Sequence, residues 1–83
     1  MYYTYILKSK ATGKKYIGHT NNLERRLKEH NSSIHNKAKF TSRNQGPWIL
    51  LYSKKFQTRK AAMKHEKWLK SGFGRAWILK TIS

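Results

Sequence analysis

The segment from Tyr16 to Asn31 contains most of the side chains in this chain that could carry out chemistry, and it reads YIGHTNNLERRLKEHN. Hydrolysis of a phosphodiester needs a base that deprotonates water and a cation that offsets the charge developing on oxygen, often with a metal ion. Tyr16 could be the base if neighbouring cations favour its phenolate, because a phenol ordinarily has a pKa near ~10. Arg26 could provide that cation and also grip a phosphate with its planar fork. His30, one helical turn later, could orient a group or relay a proton.

Carboxylates are scarce in this chain, since three acidic residues face nineteen Lys and Arg and the formal net charge is +16. There is no Asp, so a hard metal ion must be held by Glu24, Glu29 or Glu66. Glu24 suits the start of a helix, and Glu29 is spaced to pair with arginines of the same helix. Glu66 is therefore the candidate ligand for one Mg²⁺ (or Mn²⁺) ion, which commonly takes only one or two carboxylates. Its spacing is equally suited to a salt bridge with Lys70.

Two strands are predicted in the first part of the chain, and the second of them contains Tyr16. Residues 1–8 are rich in aromatic and β-branched types, and Lys14–Gly18 is a second strand of similar character. A four-residue loop at 9–12 would join them as an antiparallel hairpin and place Tyr5 directly opposite Tyr16 on the same face. Opposed phenols are also explained by simple packing, so the pairing alone leaves both interpretations open.

The first predicted helix begins at Asn21, which would act as its N-cap, and ends at about His30 or Asn31. Glu24 would then occupy the third helical position, as in a capping box. Arg26 and His30 are four residues apart and share one face. Such a basic pair is also typical of a solvated helix surface.

A third strand and two further helices are predicted in the second half of the chain. Residues 48–56 form the strand, whose apolar residues on both sides indicate a central strand or one covered on both faces. Thr58 is the predicted N-cap of a helix over 59–71. Gly72 would end that helix, Phe73-Gly74 would form a break, and 75–82 would form a short terminal helix.

The charge and the long basic stretch between the first helix and the third strand indicate a polyanionic partner. Phosphate neutralisation releases counterions, so nucleic acid is the expected partner, with DNA as the first candidate. The alternative is merely a soluble, lysine-rich surface. The residues predicted to contact nucleic acid are Lys14, His35, Lys37, Lys39, Thr41, Arg43 and Arg75.

The composition also bounds the setting in which the protein is expected to act. Eighty-three residues are enough for one small domain, which we expect to cover 1–83. There is no cysteine, no apolar run near the ~20 residues of a membrane span and no secretory signal pattern. These features predict a cytoplasmic protein without a membrane partner. The sequence leaves a monomer and a homodimer equally open.

The order of these features resembles the GIY-YIG nuclease superfamily over essentially the whole chain. The shared features are a tyrosine, a short turn, Tyr-Ile-Gly, an Arg and a His on the next helix, and a Glu on a distant helix. The similarity is closest to the small stand-alone bacterial members, whose motifs resemble Lys39-Phe40-Thr41, Gly46-Pro47-Trp48 and Glu66–Lys70. The resemblance implies an α/β (α+β) fold in which helices flank a three-stranded antiparallel sheet.

The resemblance also implies a role for each matching residue in single-metal hydrolysis of phosphodiester bonds. Tyr5 is the tyrosine of the first motif, and Tyr16 is that of the second and the implied general base. Arg26 would stabilise the phosphate, His30 would assist near the nucleophile or the first tyrosine, and Glu66 would hold the metal.

Two features depart from the family pattern. The first motif reads Tyr3-Thr4-Tyr5 instead of Gly-Ile-Tyr, and the Asn that many members have near the C-terminus is missing, since Ser71 and Arg75 are not its equivalents. Three functions therefore compete: a metal-dependent DNA endonuclease, a non-catalytic nucleic-acid-binding module of the same fold, and a basic structural protein. The reactive set favours the first, because a carboxylate in a basic groove would repel phosphate unless a cation lay between them. Substrate shape, DNA versus RNA, and a role in repair, restriction or mobility stay open.

Overall fold

A computed structural model describes residues 1–31 and 47–82, which form an antiparallel sheet with helices on both faces. The elements in chain order are β1 (Tyr2–Ser9), β2 (Lys15–Thr20), α1 (Leu23–Asn31), β3 (Trp48–Phe56), α2 (Arg59–Lys70) and α3 (Gly72–Thr81). The predicted α/β class and the three-stranded antiparallel sheet are confirmed. Within the described ranges, no helix is long and apolar enough to cross a membrane.

Strand β1 lies in the middle of the sheet, in the order β2-β1-β3, and its side chains supply both cores. Tyr5 and Leu7 pack with Trp48 on the α1 face, whereas Ile6 packs with helix residues of α2 and α3 on the other face. The prediction that β3 is central or covered on both faces is wrong. It is an edge strand on which Ile49 and Leu50 remain about 40% exposed, because the continuously buried run belongs to β1.

The β1–β2 hairpin has a different register from the predicted one. Tyr5 pairs with Gly18, and Tyr16 pairs with Leu7, so the two tyrosines are diagonal neighbours and not directly opposed. The connection is longer than four residues: the Ser9 amide donates to the Lys14 carbonyl, and Gly13 adopts a left-handed conformation with φ of 77°. The register differs by two residues, and since side chains alternate with a period of two, both phenols stay on the same face.

Helix α1 is capped by Asn22 and not by Asn21, one residue later than predicted. The Asn22 side-chain oxygen accepts a hydrogen bond from the Arg25 amide at 3.0 Å. Glu24 consequently falls one position earlier in the helix, where its exposed carboxylate lies 3.8 Å from Lys28 Nζ. The helix spans Leu23–Asn31, which agrees with the prediction that it runs to about His30 or Asn31.

The end of α1 is joined to the start of β3 by a side chain of the helix. The amide group of Asn31 accepts from the backbone N–H of Trp48 at 2.6 Å and donates to its carbonyl at 3.2 Å. These two bonds fix the position of the buried Trp48 ring beside α1.

Helix α2 begins as predicted, with the Thr58 hydroxyl accepting from the Ala61 amide at 3.1 Å. The predicted break at Phe73-Gly74 is wrong, because α3 already begins at Gly72. Ser71 allows this early start: its hydroxyl accepts from the Gly74 amide and donates to the Trp68 carbonyl. Ser71 therefore caps both the end of α2 and the start of α3, where the two glycines had suggested a loop.

We expect Gly74→Ala to destabilise the protein by about 1–3 kcal/mol, because α2 and α3 approach each other at this glycine. A Cβ at Gly74 would lie 2.5 Å from the Leu69 Cα and closer still to the Trp68 carbonyl, and backbone cannot move aside cheaply. Chemical unfolding measures the effect. Gly72→Ala is the matched control, since a Cβ there meets nothing within 4 Å. Equal stability of the two variants would contradict the close approach.

Candidate active site

Two tyrosines and a histidine form a compact cluster between the sheet and α1. The Tyr5 Oη lies 3.1 Å from Nε2 of His30, and both side chains are buried. The ring of Tyr16 lies 4.7 Å from the His30 ring and 6.3 Å from the Tyr5 ring, measured between centroids. The structure thus brings together three of the five residues predicted to act in hydrolysis.

Gly18 makes this cluster possible because it is the cross-strand partner of Tyr5. A Cβ at this position would lie 2.8 Å from the Tyr5 Oη and 3.1 Å from the Tyr16 ring. Both tyrosine side chains therefore occupy the space that a side chain at position 18 would need. The glycine of the Tyr-Ile-Gly motif thus provides space for the cluster.

Tyr5 is suited to act as a hydrogen-bonding phenol and not as a base. Burial raises its pKa well above the ordinary value for tyrosine, and the neighbouring Tyr16 and two carboxylates add to the effect, while Arg26 opposes it. The hydroxyl therefore keeps its proton at neutral pH and can donate it to Nε2 of His30. Tyr5 can hold the imidazole in place beside the more exposed Tyr16.

Arg26 lies on the same helix as His30 and is held by a carboxylate of α1. Its Nη1 donates to Glu29 Oε1 at 3.1 Å, and the Nε of Arg25 lies 3.7 Å from Glu29 Oε2. These contacts bear out the predicted pairing of Glu29. The Nε of Arg26 is buried and finds no hydrogen-bond partner among residues 1–31 and 47–82. A buried donor without a partner is costly.

Glu66 on α2 is bound by two cationic or potentially cationic side chains. Lys70 Nζ donates to Oε2 at 2.7 Å, and Nδ1 of His19 on β2 contacts Oε1. Burial raises the pKa of Glu66, but the hydrogen bonds from Lys70 and His19 outweigh it and the net shift is downward. Glu66 is therefore ionised at neutral pH. The salt bridge that its spacing allowed is present.

The phenol cluster and Glu66 belong to opposite faces of the sheet. Tyr5 and Tyr16 face α1, whereas His19, one residue after Gly18, points towards α2. The two groups meet at the end of β2, around an open cavity of about 250 Å³. It is lined by Tyr2, His19, Thr20, Asn21, Arg25, Arg26 and Arg59. Arg26 and the Glu66 partner His19 thus share one cavity.

The predicted nucleic-acid contacts are distributed differently. Lys14 lies in the hairpin connection, and Arg75 lines a second cavity with Lys15, at the opposite end of β2 from His19. Neither of them borders the cavity that contains Arg26. The remaining five residues, His35, Lys37, Lys39, Thr41 and Arg43, lie outside the described residues.

Of the residues that line this cavity only Arg26 was predicted as a site residue, and the basic side chains that were missed are His19, Arg25 and Arg59. The sequence could have predicted the face of His19, because alternation along β2 places it on the side of the sheet opposite to Tyr16. Its pairing with Glu66 spans 47 residues and has no local sequence pattern. Arg59 lies seven residues before Glu66, so that both fall on one helix face.

Glu66 is the residue of this site that could hold a hard metal ion. The described residues contain no group of three or more His, Cys, Asp or Glu that could hold a metal. A single carboxylate is still compatible with Mg²⁺, which keeps several waters and takes further oxygens from a substrate phosphate. Glu66 fits this mode in that it is ionised, but Lys70 and His19 occupy its two oxygens and would have to release at least one of them to a metal ion.

We expect Tyr5→Phe to destabilise the protein by about 1–3 kcal/mol, because it leaves a buried imidazole nitrogen of His30 without its hydroxyl partner. Urea unfolding provides the measurement. Tyr52→Phe is the matched control: the Tyr52 Oη contacts His65 Nε2 at 3.0 Å, but that pair is only half-buried. Its loss should cost less, about 0.5–1.5 kcal/mol. A Tyr5 variant no less stable than the control would contradict the role of this bond.

Comparisons with known proteins place this arrangement in a family. The GIY-YIG catalytic domain matches residues 1–78. The UPF0213 protein CPE1444 of Clostridium perfringens is 43% identical over 70 residues, which cover 84% of this chain and 71% of that one. A structure-specific endonuclease subunit SLX1 homolog of Giardia intestinalis is 41% identical over 66 residues, covering 77% of this chain but only 18% of that protein.

A solved structure supports the same assignment. The solution NMR structure of the UPF0213 protein BH0048 from Bacillus halodurans matches with a TM-score of 0.54 and 31% identity, covering 96% of this chain and 84% of the other. The match to the domain spans almost all of the described residues, including both tyrosines, Arg26, His30 and Glu66. This chain is therefore a small member of the GIY-YIG family of nuclease domains.

Proposed function

We propose that the protein is a metal-dependent endonuclease that hydrolyses phosphodiester bonds in DNA. The proposal rests on one observation: Arg26 and His19, which belong to opposite faces of the sheet, line the same basic cavity. Arg26 comes from the face with the phenols, and His19, the partner of the ionised Glu66, comes from the other face. A base, a phosphate-binding cation and a carboxylate are the groups that such a hydrolysis requires.

In this proposal Tyr16 removes the proton from the attacking water. It is half-buried on the edge strand β2, whereas Tyr5 is buried and keeps its own proton. His30 lies against the Tyr16 ring and accepts the hydrogen bond that Tyr5 can donate. In this role His30 would receive the proton from the Tyr16 side, and the contact with Tyr5 would hold its ring in place.

Arg26 binds the scissile phosphate and offsets the charge that develops on its oxygens. The Glu29 carboxylate orients its guanidinium through Nη1. A guanidinium that is already positioned stabilises developing charge without reorganising during the reaction.

Glu66 would hold one divalent ion, with Mg²⁺ or Mn²⁺ as the candidates. The ion would act as a Lewis acid towards a phosphate oxygen. The protein's part is to present an ionised carboxylate next to His19, which lines the cavity. Lys70 and His19 stabilise that charge when no ion is present, and they must give up one or both oxygens for the ion to bind.

One observation favours the second candidate, a nucleic-acid-binding module of the same fold that does not cleave. Both oxygens of Glu66 already have partners, and those partners satisfy the carboxylate without a metal. In that case Lys70 and His19 would keep Glu66 from repelling the phosphate backbone. The binding of DNA would then be insensitive to Mg²⁺ beyond the general effect of salt.

Glu66→Gln should abolish cleavage and leave DNA binding intact or tighter, because the change removes a negative charge from a basic cavity. Cleavage of labelled duplex, branched and single-stranded DNA is measured with Mg²⁺, Mn²⁺ or EDTA, and binding is measured by fluorescence anisotropy. Glu24→Gln is the control, since that carboxylate is exposed and pairs only with Lys28 among the described residues. Wild-type cleavage by the Glu66 variant would remove Glu66 from the mechanism.

Tyr16→Phe should lower the cleavage rate by about 10²–10⁴-fold, the range typical for loss of a general base. The melting temperature should change little, because Phe keeps the ring that packs against the core. Single-turnover rates and thermal unfolding are compared with those of Tyr52→Phe, which lies on the other face. A large drop in melting temperature with a proportionate loss of rate would instead support a packing role for Tyr16.

A further inference from the structure

Three guanidinium groups line the cavity at the end of β2, and the proposed reaction accounts for only one of them. Arg25 and Arg26 come from α1 and Arg59 from the first residue of α2. The other lining residues, which include Tyr2, Thr20 and Asn21, also carry polar groups. At about 250 Å³ the cavity has room for a hydrated anion, since a water molecule occupies ~30 Å³ of liquid.

The carboxylates of the protein offset the charge of this cavity only in part. Of the three acidic side chains, Glu29 pairs with Arg25 and Arg26, Glu66 pairs with His19 and Lys70, and Glu24 pairs with Lys28 away from the cavity. Among the described residues no carboxylate lies within 4.0 Å of Arg59. Its positive charge therefore faces an open, polar cavity in a protein that already carries a large excess of cations.

Arg25 is positioned towards the same cavity by neighbours on its own helix. Its Nη2 donates to the Asn21 side-chain oxygen at 3.3 Å, and its Nε lies 3.7 Å from Glu29. Because Asn22 caps the helix, the side chain of Asn21 is available for this contact. Partial preorganisation of a guanidinium reduces the entropy lost when it binds an anion.

Arg59 is too far along α2 to act on the same phosphate as Glu66. Seven residues separate them, which corresponds to roughly 10 Å along the helix axis and nearly two full turns. They therefore lie on the same helix face at different points along the path of a bound strand. A phosphate at Arg59 would be a neighbour of the phosphate that is cut.

We propose that Arg25 and Arg59 form a second phosphate subsite, which binds a backbone phosphate next to the scissile one and positions the strand for cleavage. This inference rests on the proposed function, because it assumes that a nucleic-acid strand crosses the cavity between Arg26 and Glu66. Planar guanidinium forks suit the oxygens of a phosphate diester and can bind them in pairs. Arg25 and Arg59 are positioning residues here, and Arg26 remains the residue at the reacting phosphate.

The first test measures binding and does not depend on cleavage. Fluorescein-labelled 20-nucleotide single-stranded DNA, and its duplex, are titrated in EDTA at several salt concentrations. Arg25→Ala and Arg59→Ala should each weaken binding by about tenfold and lower the salt slope by about 0.7–0.9, as expected for the loss of one phosphate contact. Lys60→Ala is the matched control, because Lys60 is the exposed neighbour of Arg59 and does not line the cavity. Equal effects of Lys60→Ala and Arg59→Ala would overturn the subsite in favour of general charge attraction.

A second test separates a phosphate subsite from non-specific attraction and from a folding defect. Inorganic phosphate should raise the melting temperature of the wild type and of Lys60→Ala, relative to chloride at the same ionic strength, because a bound ligand stabilises the folded state. Arg59→Ala should fold and lose this increase. Equal stabilisation of all three proteins would indicate anion binding elsewhere and overturn the proposal.

Cleavage then shows whether the subsite serves a strand or a free phosphate. If the strand is the ligand, Arg59→Ala should raise KM more than it lowers kcat, whereas an unchanged KM would overturn the positioning role. Glu66→Gln tests the proposed hydrolysis, whereas Arg59→Ala tests the phosphate subsite, so the two proposals can fail separately. If the wild type does not cleave but Arg59→Ala still loses DNA binding relative to Lys60→Ala, the proposed hydrolysis fails and the phosphate subsite stands.

Discussion

The burial of β1 on both faces is the constraint on which the rest of the structure depends. Four consecutive residues, Thr4 to Leu7, are almost inaccessible to solvent. Each polar group on this strand must therefore find a partner inside the protein. The Thr4 hydroxyl donates to the Ala62 carbonyl at 2.7 Å and attaches the sheet to α2, whereas the Tyr5 hydroxyl contacts His30 and attaches the sheet to α1. Thr4, which departs from the family motif, thus has a structural role, and the phenol cluster is part of the core.

The shortage of carboxylates determines how the surface around the site is organised. With three acids against nineteen Lys and Arg, the protein cannot pair most of its cations. It uses Glu29 to orient two arginines of α1 and Glu66 to join β2 to α2 through His19. Cations without such partners repel one another, and a polyanion relieves that repulsion. The same imbalance that limits stability therefore favours a phosphate backbone as the ligand of this surface.

Several elements could be predicted from local patterns, and others could not, for identifiable reasons. Residues 48–56 and the Thr58 cap were predicted correctly because alternation and N-cap chemistry are local signals. The hairpin register was wrong by two residues because the turn recruits Lys14 and a left-handed Gly13, and several loop lengths fit the same strands. The break at Phe73-Gly74 was wrong because glycine signals a loop and a close helix approach equally well. The central position of β1 depends on long-range strand pairing, for which a single sequence contains little information.

The sequence by itself determined which side chains could take part in chemistry: two tyrosines in adjacent strands, Arg26 and His30 on one helix, and Glu66, whose spacing suited a metal ion and a salt bridge with Lys70 equally. It also determined that Tyr5 and Tyr16 share a face, because a shift of two residues in register leaves that face unchanged. Only the tertiary structure decided that Glu66 also meets His19 and that Arg59 completes a three-arginine cavity with Arg25 and Arg26. Those contacts join residues from different elements across the end of β2. Their geometry depends on how α1 and α2 pack on opposite faces of the sheet, and local propensity does not specify that packing.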